Sequence, residues 1–486
     1  MVAWVAALLW AALVAAQNGP PAIEHLVDEV SQSSTLDKNL RVLCDQIGGR
    51  ITGSPAMKRA VAWAREAFRQ AGVSAVHTES FTVPNSWSEG ASRAEVLDPA
   101  RFPVRVASAG WSPATNGTLE TEVISGGRGE DGDVARLGAA ARGKIVLVRS
   151  DTLNSFHDMA IEQRRGTVAT REAEKAGAAA VLLMSTRPRG LLYRHINVID
   201  GRLDKLPVAV AAREEAQRIL RLLEAGQRVR MRLSLPNQTG GPVETENVVA
   251  EIPGREIPGE VVILGAHLDS WDLGTGCLDN ACNAAMVIDV ARALAATRPR
   301  PRRTVRFVLF GAEEQGLLGS KAYVERHRQE LERVVAVLVH DIGVGRISGY
   351  SLGGRRELES PVAEALAPVA SRGPTSHTTD AFFGTDHFDF LLQGIPTLVA
   401  NQDTSDYIPN YHAASDTFDK VDLAELRNQA AIAAVLAYNL ADRPERLARR
   451  QTRAEVEQLL RDTRLDDQMK FLGMWEEFAA RRRGRQ

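Results

Sequence analysis

Cysteine is scarce: three in 486 residues, too few for a disulfide scaffold. An excess of either charge is missing as well. The chain has 59 Lys and Arg against 61 Asp and Glu, a formal net charge of −2, so nothing in the average points to nucleic acid. A membrane-length apolar run is absent from the N-terminus, where MVAWVAALLWAALVAA is too short for a comfortable transmembrane helix and no positive flank follows. That run ends in Val14-Ala15-Ala16, with small residues placed for cleavage before Gln17, and reads as a signal peptide over 1–16 that lacks a lysine or arginine ahead of its apolar core. No cysteine follows the cleavage point, which argues against a lipoprotein anchor. The expectation is an exported protein (periplasmic or extracellular, lysosomal in a eukaryotic host) with no membrane attachment after leader removal.

What is present is an ordinary globular balance, 44% hydrophobic and 25% charged, in a chain long enough for two or more domains. From Ile23 to about Ala71 the apolar spacing is helical, broken at Gly48-Gly49 and Gly53-Ser54-Pro55. Between 96 and 243 short strands alternate with Gly-rich turns, and a helix is expected at Thr167–Ala176. His157 and His195 stand alone in that stretch, so a binding or covering role fits it better than catalysis. From Asn247 strands and helices alternate, which predicts an α/β fold with a mostly parallel sheet covered by helices on both faces. The expected division is 17–95 and 244–441 for one domain, 96–243 for an insert, and 442–486 for a charged helical extension without a site. The basic end, Arg481 to Gln486, reads as a solvated tail.

The chemistry gathers in the second half. His267 follows the run VVILGA, and Asp269 two residues on is placed to hold its far ring nitrogen. Asp279 precedes a helix, where a carboxylate can cap the helix or bridge two cations. Glu313-Glu314 ends VRFVLFGA; neighbouring glutamates point different ways, so one can ligate while the other takes a proton from the attacking water. Asp341 ends VVAVLVH, and His412 lies in the loop YHAASDT. His340 would face away from the set in a strand. Two imidazoles and three carboxylates suit a pair of catalytic zinc ions, with one carboxylate left over as a base; Co2+ and Mn2+ would suit the same ligands. Thiolate is not needed, so Cys277 and Cys282, which straddle Asp279, are either a small bridge or two buried hydrophobes.

These segments resemble the co-catalytic zinc exopeptidases, above all their carboxypeptidase Q-like branch. The resemblance rests on Gly265-Ala266-His267-Leu268-Asp269-Ser270-Trp271-Asp272, Ala312-Glu313-Glu314-Gln315-Gly316, Gly384-Thr385-Asp386, Gly394-Ile395-Pro396, and His412 four residues before Asp416-Thr417. Upstream, Cys44 to Gly48, Thr52 to Pro55 and Arg142 to Val146 also match, so it covers most of 23–440. It implies that His267, Asp279 and Asp341 bind one zinc and Asp279, Glu314 and His412 the other. It further implies Glu313 as general base, Asp269 as support to His267, a cis peptide after Asp279, a protease-associated domain as the insert, and a homodimer. The substrates it implies are dipeptides or short peptides with unblocked termini. Asn280, Cys282 and Asn283 depart from the branch's pattern after the bridging aspartate. Which peptide end is recognised stays open. The competing readings are a zinc amidohydrolase on N-acyl amino acids and a catalytically silent, receptor-like binding protein.

Overall fold

The computed structural model describes residues 20–486, so the expected leader at 1–16 lies outside the described residues. The first of two large sheets has seven strands: β1 (Ala75–Val83), β2 (Val243–Ile252), β3 (Ile257–His267), β4 (Arg303–Phe310), β5 (Val334–Val339), β6 (Ile347–Ser351) and β7 (Thr397–Gln402). Their spatial order is β1-β2-β4-β3-β5-β7-β6. The centre, β4-β3-β5-β7, is parallel, whereas β1, β2 and β6 pair antiparallel at the margins. The expectation of a mostly parallel sheet therefore holds at the centre only. Residues 253–256 between β2 and β3 are too short for a helical crossover, which forces β2 to run against its neighbours.

Alternation along the central strands sends side chains to two buried faces. Val262, Leu264 and Ala266 of β3 pack with Phe307 and Leu309 against helices Pro55–Gln70, Cys282–Ala296 and Leu423–Asp442. Ile263, Val308 and Val337 face the other way, onto Tyr323, Val324 and Phe390. Ser54 starts the first of these helices by accepting the Met57 amide, with Pro55 at its first turn. Burial on both faces accounts for runs such as VVILGA that show no polar alternation.

The second sheet lies in the span from Arg93 to Ser234 and has eight strands. Leu119–Ser125, Ile145–Val148, Ala180–Met184 and Val208–Ala211 form its parallel centre. Helices Phe156–Ala176 and Arg213–Glu224 cover opposite faces. The first helix begins at Phe156 rather than Thr167, capped by Ser155, which accepts the Asp158 amide. Gly166 interrupts its apolar pattern because a Cβ there would meet His195 Nε2 at 2.6 Å.

Two further expectations need correction. Cys277 is disulfide-bonded to Cys44 rather than to Cys282, which is a buried free thiol. The basic end is docked in part, not wholly solvated: Arg481 and Arg482 are exposed, but buried Arg483 donates to both carboxylate oxygens of buried Asp389 at 2.8 and 2.7 Å. A buried carboxylate requires such a partner. Upstream of it, Val456, Leu460, Met469 and Phe478 pack on Phe388 and Leu392, so the extension shares a core with the sheet's own helices. No described helix is long and apolar enough to cross a membrane.

Candidate metal centre

β3 ends on His267, β4 leads through Gly311 to Glu313 and Glu314, and β5 leads to Asp341. All three arrive at the carboxyl end of parallel strands, where α/β sheets open their crevices. Asp279 enters from the segment before helix Cys282–Ala296, and the Asp279–Asn280 peptide is cis. His412 comes from the loop after β7, at φ 56°, a left-handed conformation that costs about 1–3 kcal/mol in a non-glycine residue.

The five candidate ligands converge around Asp279. Its Oδ1 lies 3.1 Å from His267 Nε2, and its Oδ2 lies 3.5 Å from His412 Nε2. Asp341 Oδ1 stands 2.8 Å from His267 Nε2, and Glu314 Oε2 stands 2.9 Å from His412 Nε2. One carboxylate thus faces two imidazole groups, each with a further acid. Donor atoms of His267, Asp279 and Glu314 lie within 4.8 Å of one another, as do those of His267, Glu313 and Asp341. Glu313 alone among these acids keeps part of its surface accessible.

Electrostatics show what this cluster calls for. Burial and the neighbouring Asp341 charge hold the Glu313 carboxyl well above its usual range, and burial with Asp279 does the same to Glu314. Burial raises Asp341 to about 6 and lowers His412 to about 4. His267 goes the other way: burial opposes its charge, but Asp341, Asp269 and Asp279 raise it well above the ordinary histidine value. Asp279 Oδ2 and Glu314 Oε1 are buried without a hydrogen-bond partner. Crowded buried acids with orphaned oxygens need positive charge. The donor set, imidazole and carboxylate without thiolate, fits zinc.

The shell around the ligands is built from distant segments. Asp269 was expected to hold the far nitrogen of His267 through its carboxylate. Instead its main-chain carbonyl lies 3.0 Å from His267 Nδ1, and the carboxylate oxygen is 3.6 Å away. That carboxylate accepts the Glu313 and Glu314 amides at 3.1 and 3.3 Å, fixing the glutamate pair. Asp416 accepts the Leu278 and Asp279 amides at 2.6 and 3.1 Å, and burial raises it to about 7. His340 stays out of the set, its ring edge-on to Tyr350.

Arg50 escaped the reading of the sequence. It is fully buried and donates to the carbonyls of Gly48, Leu268, Thr275 and Gly276 at 2.7–2.9 Å, tying the His267 and Asp279 segments together. Its only signal was the Gly-Gly break before it. The second sheet also reaches the site, which its isolated histidines did not suggest. His195, bonded to Asn197 at 2.8 Å, lines the same cleft as Glu313 and His412. This cleft has a volume of about 880 Å3, and Phe156 of the insert and Phe471 of the C-terminal extension stand in its walls.

A parallel-centred α/β sheet whose strand ends gather this acid and imidazole cluster defines a zinc metallopeptidase. Residues 247–437 match Peptidase family M28. The chain is similar to bovine (Bos taurus) carboxypeptidase Q, 29% identical over 85% of this chain and 86% of the bovine protein. It is similar to the crystal structure of a Peptidase M28 precursor from Shewanella amazonensis, 28% identical with a TM-score of 0.80, covering 88% of this chain and 98% of that one. It also shares its fold with a zinc aminopeptidase from Bacillus subtilis, with a TM-score of 0.66 at 21% identity, over 85% and 96% of the two chains.

Proposed function

We propose that the protein is an exported di-zinc exopeptidase that hydrolyses dipeptides or short peptides with a free amino terminus. The observation that carries this is Asp279, which turns one oxygen toward His267 and the other toward His412. In this reading His267, Asp279 and Asp341 hold one ion, and Asp279, Glu314 and His412 the other. Bound zinc would polarise the scissile carbonyl and acidify the attacking water. Glu313, the accessible acid, takes the proton from that water as it attacks and delivers it to the leaving amine nitrogen. Asp269 holds the Glu313 amide and so aims the base. The cleft, about 880 Å3 in volume and lined by Glu313, gives that carboxylate room to work on a peptide.

Charge in the cleft supports the choice of peptide end. Its two arginines are already engaged, Arg164 with Asp131 at 2.6 Å and Arg194 with Glu89 and Asp272 at 2.7 and 2.6 Å. Arg194, buried between two acids, is not free to grip a terminal carboxylate; Arg164 sits in a solvent-exposed pair that holds it only weakly, and the exposed Asp380 in the cleft's lining is suited to an ammonium group. Export is supported by the apolar leader and by the Cys44–Cys277 bridge, since such bridges persist in oxidising compartments. The insert is assigned as a protease-associated domain, expected over 96–243 between peptidase segments 17–95 and 244–441; its sheet starts at Arg93, and Val243 already belongs to β2. A homodimer follows from the resemblance alone.

Hydrolysis of one dipeptide, free and N-acetylated, by zinc-loaded mature protein tests the reading. Cleavage of the free form alone supports it. Cleavage of both forms overturns the amino-terminal assignment, and cleavage of neither overturns the peptidase.

A further inference from the structure

The loop that carries His412 is gripped by the insert. The Arg194 amide donates to the His412 carbonyl at 2.8 Å, and the Ala414 amide donates to the Leu192 carbonyl at 3.0 Å. Between these bonds Tyr193 and Ala413 pair as an antiparallel bridge. His412 Nδ1 lies 3.2 Å from the Arg194 carbonyl. A proton on Nδ1 satisfies that contact and leaves Nε2 free, facing Glu314 and Asp279. Holding the far ring nitrogen in this way sets both the tautomer and the ring plane of a metal-binding histidine.

Arg187 fastens the clasp. Its side chain is buried, and Nη2 donates to the Tyr411 carbonyl at 2.9 Å. That carbonyl belongs to the peptide bond that enters His412. Nη1 donates to both oxygens of Glu162, at 2.8 and 3.1 Å, on helix Phe156–Ala176. The guanidinium also lies over the Tyr193 ring, 3.8 Å from its centroid. One planar fork therefore joins the insert helix, the insert loop that carries Tyr193 and the histidine loop. Lysine would keep the charge beside Glu162 but has no second arm for Tyr411.

We propose that Arg187 is a positioning residue for His412, through which the insert presets the ligand of the second metal ion. The proposal rests on the two-metal reading above. The insert then acts on the reaction as part of the metal centre's scaffold, beyond covering the cleft.

The test is zinc titration of the full chain, metal-free at the start, against a competing chelator, with hydrolysis read in parallel. Wild type is expected to bind two zinc ions. R187K is expected to keep the first at wild-type affinity and to bind the second about 10–100-fold more weakly. Its lost turnover should return as free zinc is raised, with KM unchanged. Adding H412A to R187K should weaken the second site no further than H412A alone, because both act through one side chain. Wild-type affinity at both sites in folded R187K would overturn the proposal. Should R187K not fold, E162Q takes its place: weaker second-site binding supports the proposal, and unchanged binding overturns it. Wild type that binds no second zinc removes the two-metal reading itself, a result distinct from a two-zinc enzyme indifferent to Arg187.

Discussion

The two large sheets are built alike and used differently. Each has a parallel centre of four strands, apolar on both faces, with helices on either side. Each delivers its polar groups at or just past a strand's carboxyl end: His267 as the last residue of β3, and Arg187 three positions after Ala180–Met184. The first sheet presents acids and imidazoles, which can hold metal and move protons. The second presents arginines, which can only donate hydrogen bonds and balance charge. Architecture sets where a functional group appears, and side-chain chemistry decides whether that group reacts or fastens.

The difference can be broken at its strongest point first. E313Q should lower kcat by about 10²–10⁴-fold, the usual contribution of a general base, while zinc content and thermal unfolding stay at wild-type values. Near-normal turnover in a folded, zinc-replete E313Q would move the base elsewhere.

Acid and alkali should then separate the two sheets. Burial lowers His387, beside the first sheet, to about 4, so the unfolded chain takes up its proton first as pH falls. The stability it contributes is full above pH 6.5 and declines by about 3 kcal/mol toward pH 4. Urea unfolding of H387Q between pH 4 and 7 should lack that decline. Burial raises Asp204, in the insert, to about 6, so its contribution is present below pH 3.8 and is lost as pH rises through 6. D204N should therefore gain about 2–3 kcal/mol at pH 7 and nothing at pH 4. Equal gains at both pH values would show that Asp204 is not the titrating group.

The smallest effect is expected on the insert's outer surface. Arg232 pairs with Glu120 at 3.0 Å, both well exposed. R232A should change stability by less than about 1 kcal/mol and leave kcat/KM at its wild-type value.

Legibility in the sequence followed the same division. His267, Glu313-Glu314 and Asp341 were visible because each follows an apolar strand in its own segment, so local pattern and chemistry coincide. Their arrangement around Asp279 needed the sheet order, which places β4 and β5 on either side of β3. Arg187 was hidden because its bond to Tyr411 spans 224 positions, and nothing around it in the chain differs from an exposed arginine. The same holds for Arg483, which looked like a basic tail until Asp389 lay beside it. Cys277 was weighed against its near neighbour Cys282, whereas its partner Cys44 is 233 positions away. Long-range satisfaction of buried polar groups leaves no periodic trace.

The most direct measurement is anomalous diffraction at the zinc edge from crystals of the zinc-loaded protein. Two peaks flanking the Asp279 carboxylate, one beside His267 and Asp341 and one beside His412 and Glu314, are the predicted result. A single peak, or a second peak remote from His412, would contradict the two-metal centre.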